Sequence, residues 1–369
     1  MTEHAGQRGD DVRYGIIGAG MMGIEHLWNL HHVDGARVTA IADPNEVSRE
    51  LTAAANEGHR PFDQFTDHRL LLASGLCDAV VIATPNMTHR AILDDVLATD
   101  LHVLVEKPLC TTIADCRAVV EAAEGRNGIV WVGLEYRYMP PVARLIAEVQ
   151  AGTVGTPRMV AIREHRYPFL DKVGDWNRFN RNTGGTLVEK CCHFFDLMNH
   201  ITGDRPTRVQ ASGAQDVNHL EESYDGAVPD ILDNAFVIVD YAGGARALLD
   251  LCMFADASHH QEELSVVGPF GKVEAFLPEE TVRVGRRARG RGAIVTSEVR
   301  DPRVAYEGFH HGSSYLEHLD LLAAIRSSEP AGVGLQEGLW SVAMGVAAHR
   351  SIDEGRAVAL DEVLADPTA

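Results

Sequence analysis

The sequence has no apolar run approaching the ~20 residues needed to span a bilayer, which excludes an integral membrane protein with helical spans. It has few cysteines for its 369 residues. Cys77, Cys110, Cys116, Cys191, Cys192 and Cys252 do not make a disulfide framework, and a reducing cytoplasm is the expected compartment. Basic residues are also scarce: 33 Lys and Arg stand against 53 Asp and Glu, a net charge of −20. A surface this acidic repels phosphate backbones, so neither nucleic acid nor an anionic membrane is expected as a partner. The basic stretch 282–291 reads as a solvated hairpin. Residues 1–11 lack the apolar core of a signal peptide and read as a polar tail. What is present is 45% apolar and 23% charged residues, the composition of a globular chain long enough for about two domains.

Residues 12–133 alternate short β-branched runs with helical patterns. Strands are predicted at 12–17, 38–42, 78–83, 102–106 and 129–133, with helices at 22–31, 45–56, 88–98 and from Thr111 or Thr112 to Glu124. Such alternation, with strands apolar on both faces, predicts a parallel, doubly wound α/β sheet. After Gly133 the pattern changes. Helices are predicted at 141–150, 185–201, 314–327 and 336–352. Strands at 208–212, 232–241, 245–254, 262–267, 272–277 and 281–284 follow one another with little helix between. This predicts an α+β domain with an open, mostly antiparallel sheet and helices on one side. The expected division is 10–135 and 136–369.

Three motifs carry chemistry. Gly18-Ala19-Gly20-Met21-Met22-Gly23 follows the first strand and opens a helix. The first glycine allows the tight turn, the second the approach of a pyrophosphate, the third close packing of helix on strand. Asp43, 25 residues after Gly18, ends the second strand. Its carboxylate suits ribose hydroxyls and repels a 2′-phosphate, which favours NAD over NADP; capping the next helix is its alternative role. Second, Glu106-Lys107-Pro108 ends a strand, where α/β sheets bind ligands. The ammonium can bond a substrate hydroxyl and favour a developing alkoxide, unless it is only a surface lysine. Thr84 and Asn86, at another strand end, suit the nicotinamide side of a cofactor; His89 is either a cofactor neighbour or a helix-start residue. Third, Glu189 and His193 stand four residues apart, on one face of the helix predicted over 185–201. A neutral imidazole there can take a proton from an alcohol. Glu189 would favour the imidazolium and Lys107 would disfavour it, so the direction of any pKa shift is open. Cys191 and Cys192 point to different helix faces, and no CxxC or second His cluster accompanies them, so no metal is expected.

These motifs, with Ala83-Thr84-Pro85-Asn86-Met87-Thr88-His89 and Tyr136-Arg137-Tyr138-Met139-Pro140, resemble the Gfo/Idh/MocA oxidoreductase family over nearly the whole chain. The resemblance implies NAD(P) on an amino-terminal Rossmann domain, with Gly18, Gly20, Met21, Met22, Gly23, Asp43, Thr84, Asn86, His89, Glu106 and Lys107 as cofactor contacts. It implies a carboxyl-terminal sheet used in oligomer contacts, here a homodimer or homotetramer. It makes Lys107 the catalytic lysine, His193 the acid/base, and Lys107–Pro108 a candidate cis peptide. The family usually has Asp at Glu189 and a small or apolar residue at Lys190. Its substrates are sugars, cyclitols and their derivatives, so Trp176 is a candidate to stack on a ring. Arg137, Arg166, Arg178, Asn180 and His310 are candidates to bind hydroxyls; the alternative for 165–182 is a structured loop with aromatic anchors.

The expected activity is NAD-dependent, reversible oxidation of a secondary hydroxyl on a small polyhydroxylated ring. An NAD-retaining glycoside hydrolase or lyase that works by transient oxidation is the second reading, and a non-catalytic sugar or NAD sensor the third.

Overall fold

The computed structural model describes residues 11–290 and 292–367. The polar tail thus lies outside the described residues except for Asp11. In chain order the first sheet and its helices are β1 (Val12–Ile17), α1 (Met21–His31), β2 (Ala36–Ala42), α2 (Glu46–Ala55), β3 (Asp63–Phe65), α3 (His68–Ala73), β4 (Ala79–Ile82), α4 (His89–Leu97), β5 (His102–Glu106), α5 (Ile113–Ala122) and β6 (Val130–Gly133). The six strands lie in the order β3-β2-β1-β4-β5-β6, all parallel. β4 is buried at every residue, the pattern of a strand covered by helices on both faces. Side chains cap α2 and α5: Asn45 Oδ1 accepts from Ser48 N at the start of the first, and Thr112 Oγ1 accepts from Asp115 N at the start of the second; Thr88, before α4, makes no capping bond.

The rest of the chain forms α6 (Pro140–Gln150), β7 (Met159–His165), α7 (Asn180–Thr183), α8 (Thr186–Glu189), α9 (Cys192–Thr202), β8 (Pro206–Ala214), β9 (Asn234–Tyr241), β10 (Arg246–Cys252), β11 (Glu262–Gly268), β12 (Gly271–Leu277), β13 (Thr281–Arg286), β14 (Ile294–Glu298), α10 (Ser313–Ser327), α11 (Leu335–Glu354), β15 (Val358–Ala359) and α12 (Leu360–Ala365). The second sheet runs β14-β13-β12-β11-β7-β10-β9-β8-β15 and is antiparallel except where β7 meets β10. One face carries α9 and α11. On α11, a Cβ at Gly345 would stand 2.5 Å from the Leu187 carbonyl oxygen, so only glycine lets the helix come this close to α8. The opposite face is open: Phe236, Ile238 and Leu248 are exposed on it, and Leu248 pairs directly with Ile238. The basic stretch, up to residue 290, runs from β13 into the connection toward β14, and β13 and β14 pair as the expected hairpin.

The short elements β3, α3, β14, β15 and α12 lie outside the strands and helices predicted from the sequence, and two differences bear on the site. β7 was not anticipated, because Arg163 and Glu164 interrupt its apolar run; yet it is central, and Glu164 is fully buried in it. The helix expected over 185–201 is two helices, α8 and α9, interrupted at Lys190 and Cys191. In a continuous helix the Glu189 carbonyl would accept from the His193 N–H. Here it accepts from Lys107 Nζ at 3.0 Å and from Cys192 Sγ at 3.4 Å. The Lys107–Pro108 peptide is cis.

Candidate active site

The carboxyl ends of β1, β2, β4 and β5 open into a cleft of about 1030 Å³ that continues under the 166–178 loop and past the adjoining ends of β7 and β11 in the second sheet. Its floor begins at the glycine turn. Gly18 has φ +98°, and a Cβ there would stand 2.5 Å from the Ala83 carbonyl oxygen; one on Gly23 would stand 2.0 Å from the Gly18 carbonyl oxygen. A Cβ on Gly20 would meet nothing within 4 Å, so open space lies beside the start of α1, where a helix amino end favours an anion. Asp43 is fixed at the rim: its two carboxylate oxygens accept from Ala19 N and Asn45 N, each at 2.8 Å. Asn86 is buried in the lining, and its Nδ2 has no hydrogen-bond partner, a donor left for a ligand. A dinucleotide suits these residues: a turn open only at Gly20, a fixed carboxylate at the ribose position and an orphaned amide further in. Met21, Met22, Thr84, Glu106 and Lys107 line the same cleft; Gly23 is packed beneath it. His89 lies outside the lining, fully buried, with its ring nitrogens on the carbonyl oxygens of Pro108 (2.9 Å) and Thr84 (3.1 Å). It ties the 84–88 turn to the Lys107–Pro108 turn.

Lys107, Glu189 and His193 meet at the inner end. Lys107 Nζ spends one donor on the Glu189 carbonyl and keeps two. The Glu189 carboxyl is buried, and its Oε2 lacks a hydrogen-bond partner; burial pushes its pKa up, against Lys107 and Lys172. His193 is buried, its ring stacked on Tyr136 at 3.9 Å and 7°, and its Nδ1 unpartnered. Burial, then Lys107, Lys190 and His310, push the imidazole well below the usual 6.5. Glu106 is the counter-charge. Burial opposes its ionisation, but His26 at 2.9 Å and Lys107 hold it at about 2. Glu135, beside His310 at 3.1 Å, is instead raised to about 7 by burial and by Glu106.

The residues proposed for a sugar divide. Arg166, Trp176 and His310 line the cleft. Arg137, Arg178 and Asn180 do not. Arg137 Nε donates to Asp196 at 2.6 Å; buried Arg178 donates to Asp171 at 2.8 Å and Glu222 at 3.2 Å; Asn180 holds Asp230 through its backbone N–H and its side-chain amide. Each has a local carboxylate or carbonyl that the sequence does not place beside it, and all three fasten loops around the site.

Charged residues that the sequence did not offer as site residues also gather at the inner end. Lys190 donates to the Tyr136 hydroxyl at 2.6 Å and reaches Glu164 Oε1 at 2.9 Å. Glu164 pairs in register with Glu262 across β7 and β11, and burial plus this neighbour raise Glu262 to about 8. Lys172, on the overlying loop, faces Lys107 and Glu189. The unusual lysine at position 190 was visible in the sequence, but its partners Tyr136 and Glu164 come from two distant segments.

Comparison with known proteins agrees with this architecture. Residues 12–134 match the model of the oxidoreductase family's NAD-binding Rossmann fold, and residues 146–360 that of the family's C-terminal alpha/beta domain. A myo-inositol 2-dehydrogenase from Thermotoga maritima is 28% identical over 359 residues, covering 96% of this chain and all of that protein. Inositol 2-dehydrogenase 4 from Saccharopolyspora erythraea is 36% identical over 248 residues, 65% of this chain and 67% of that protein. The crystal structure of a probable dehydrogenase from Thermotoga maritima superposes with a TM-score of 0.76 at 26% identity, covering 95% of this chain and all of that one. The chain belongs to the Gfo/Idh/MocA oxidoreductase family: it is a dehydrogenase acting on CH–OH groups with a nicotinamide cofactor.

Proposed function

We propose that the protein uses NAD to oxidise, reversibly, a secondary hydroxyl of a cyclitol, sugar or related polyol. The observation that carries this is the meeting of Lys107, Glu189 and His193 at the inner end of a cleft whose outer end is the glycine turn and Asp43. In oxidation His193, held neutral, takes the hydroxyl proton as the carbinol C–H bond breaks and the carbonyl forms. Lys107 gives a donor to the same oxygen while negative charge builds on it. The Glu189 carboxyl holds a neighbouring hydroxyl, and Arg166, Trp176 and His310 bound the ring. A nicotinamide held by the glycine turn, Asp43 and Asn86 would supply the two-electron acceptor for this oxidation, or the donor for its reverse. Relatives named as inositol dehydrogenases support cyclitols as the first substrates to try. The division of labour follows the two sheets, with 10–135 holding cofactor and 136–369 holding substrate. A panel of cyclitols, aldoses and glycosides assayed for NADH formation, with product analysis, tests the reading; product without net NADH would instead favour a hydrolase or lyase that retains its NAD.

Asp43 sets cofactor choice. NAD is expected to bind at least tenfold more tightly than NADP, since a fixed carboxylate against a 2′-phosphate costs on the order of 1–3 kcal/mol. Asp43→Ser should narrow the gap, with Arg49, now on the Asp43 carbonyl at 2.6 Å, free to meet the phosphate. Titration of both cofactors decides it, and equal affinities in the unaltered protein would sink the assignment.

The open sheet face suits a second copy of the chain, giving a homodimer or homotetramer. Phe236 and Ile238 are 60% and 47% exposed on this face, with Leu248 beside Ile238. Phe236→Asp with Ile238→Asp should leave the chain folded and shift its sedimentation coefficient to that of a smaller species; an unchanged assembly would place the contact elsewhere. Among the described residues no helix is long and apolar enough to cross a membrane.

A further inference from the structure

Away from the cleft lining, His259 and His260, in the loop joining β10 to β11, meet Glu279, in the turn joining β12 to β13. Their donor atoms all lie within 4.8 Å of one another. His259 Nε2 is 2.5 Å from Glu279 Oε1, and His260 Nε2 is 3.1 Å from Glu279 Oε2. We propose that these three side chains bind a first-row divalent metal ion, with Zn²⁺ the best match to two imidazole nitrogens and one carboxylate oxygen.

Three observations separate this from an ordinary surface ion pair. The first is the aim of His260. Its Nε2 is buried and directed at the Glu279 carboxylate, 3.1 Å from Oε2. The second is its other nitrogen. Nδ1 lies 3.3 Å from Glu263 Oε1 on β11, and a proton placed there leaves the lone pair on Nε2. Carboxylates support metal-binding imidazoles in this way, fixing both tautomer and ring. The third is the absence of a competing cation: among the described residues, the ion-pair partners of Glu279 are these two imidazoles and no Lys or Arg. The His260 ring is also held by Phe276, with centroids 4.9 Å apart. His259 is exposed, so ion and water can reach the site, and the fourth position of a tetrahedral ion would go to water. Bound metal would clamp the β10–β11 loop to the β12–β13 turn. Gln261 and Glu262, next in the chain, line the substrate side of the cleft, so the clamp would stiffen that wall.

The test uses the full chain without a polyhistidine tag. Titration with Co²⁺ should give the intense visible absorption of a four- or five-coordinate ion, saturating at one equivalent per chain, and Zn²⁺ should displace it. His259→Gln, His260→Ala and Glu279→Gln should each weaken binding by roughly tenfold or more, and Glu263→Gln by severalfold through loss of the supporting carboxylate. His259 is exposed, so its variant keeps the fold and stays informative if the His260 variant does not. Uptake that never saturates, a six-coordinate spectrum, or an affinity unchanged in the His259 and Glu279 variants would overturn the proposal.

Discussion

Lys107→Ala is expected to lower kcat by roughly 10²–10⁴-fold, the range for losing a positioned charge stabiliser. Binding of NAD should stay within about threefold, because the glycine turn, Asp43 and Asn86 are built without it. The size of the effect follows from what Lys107 does in the structure. Its ammonium occupies the carbonyl of Glu189 at the interruption between α8 and α9, so it also holds the segment that carries His193. Lys107→Met keeps the aliphatic stem and should lose nearly as much, whereas Lys107→Arg should recover only part, since a planar guanidinium does not reproduce a point donor. Steady-state kinetics on a substrate found by the panel, beside NAD titration of each variant, check this. Turnover within about threefold of the parent would reduce Lys107 to a strand-end lysine.

The second large effect is at His193. His193→Asn should lower kcat in both directions by roughly 10²–10⁴-fold and remove one ionisation from the pH profile. The structure settles a direction that the sequence left open. Burial leads, and Lys107, Lys190 and His310 all disfavour the imidazolium; Glu189, expected from its spacing to favour it, is not among the charges that set it. The pKa therefore lies well below 6.5. Oxidation needs the neutral ring, so kcat/KM for oxidation should stay on its plateau as pH falls through 6.5 and drop only in more acid solution. Reduction needs the protonated ring and should rise toward acid pH. Glu189→Gln should move the acid limb by no more than a few tenths of a pH unit, where the helix spacing alone predicts a clear downward shift. Profiles of the parent and both variants between about pH 5 and 9 measure this. An unaltered profile in His193→Asn would assign the proton to another group.

The sequence by itself determined every strand of the first sheet but β3, its helices other than α3, and the glycine turn with Asp43 at its rim. Those features rest on local requirements: β-branched runs, side-chain caps, and a turn where Gly18 must take a positive φ and Gly23 must lie against the Gly18 carbonyl. Such demands are met by neighbours in the chain and leave a mark there. The substrate end was legible only in part. Lys107, Glu189 and His193 could be named, but not the break between α8 and α9, because the group that takes the Glu189 carbonyl comes from β5's far end. Strand β7 was hidden because Glu164 spoils its apolar pattern; the fold tolerates that buried carboxylate because Lys190 lies 2.9 Å away. Arg137, Arg178 and Asn180 read as free donors until Asp196, Asp171, Glu222 and Asp230 were brought against them. Tertiary structure alone decided these points, because desolvation and charge pairing depend on distance in space, and segments remote in the chain supply the partners.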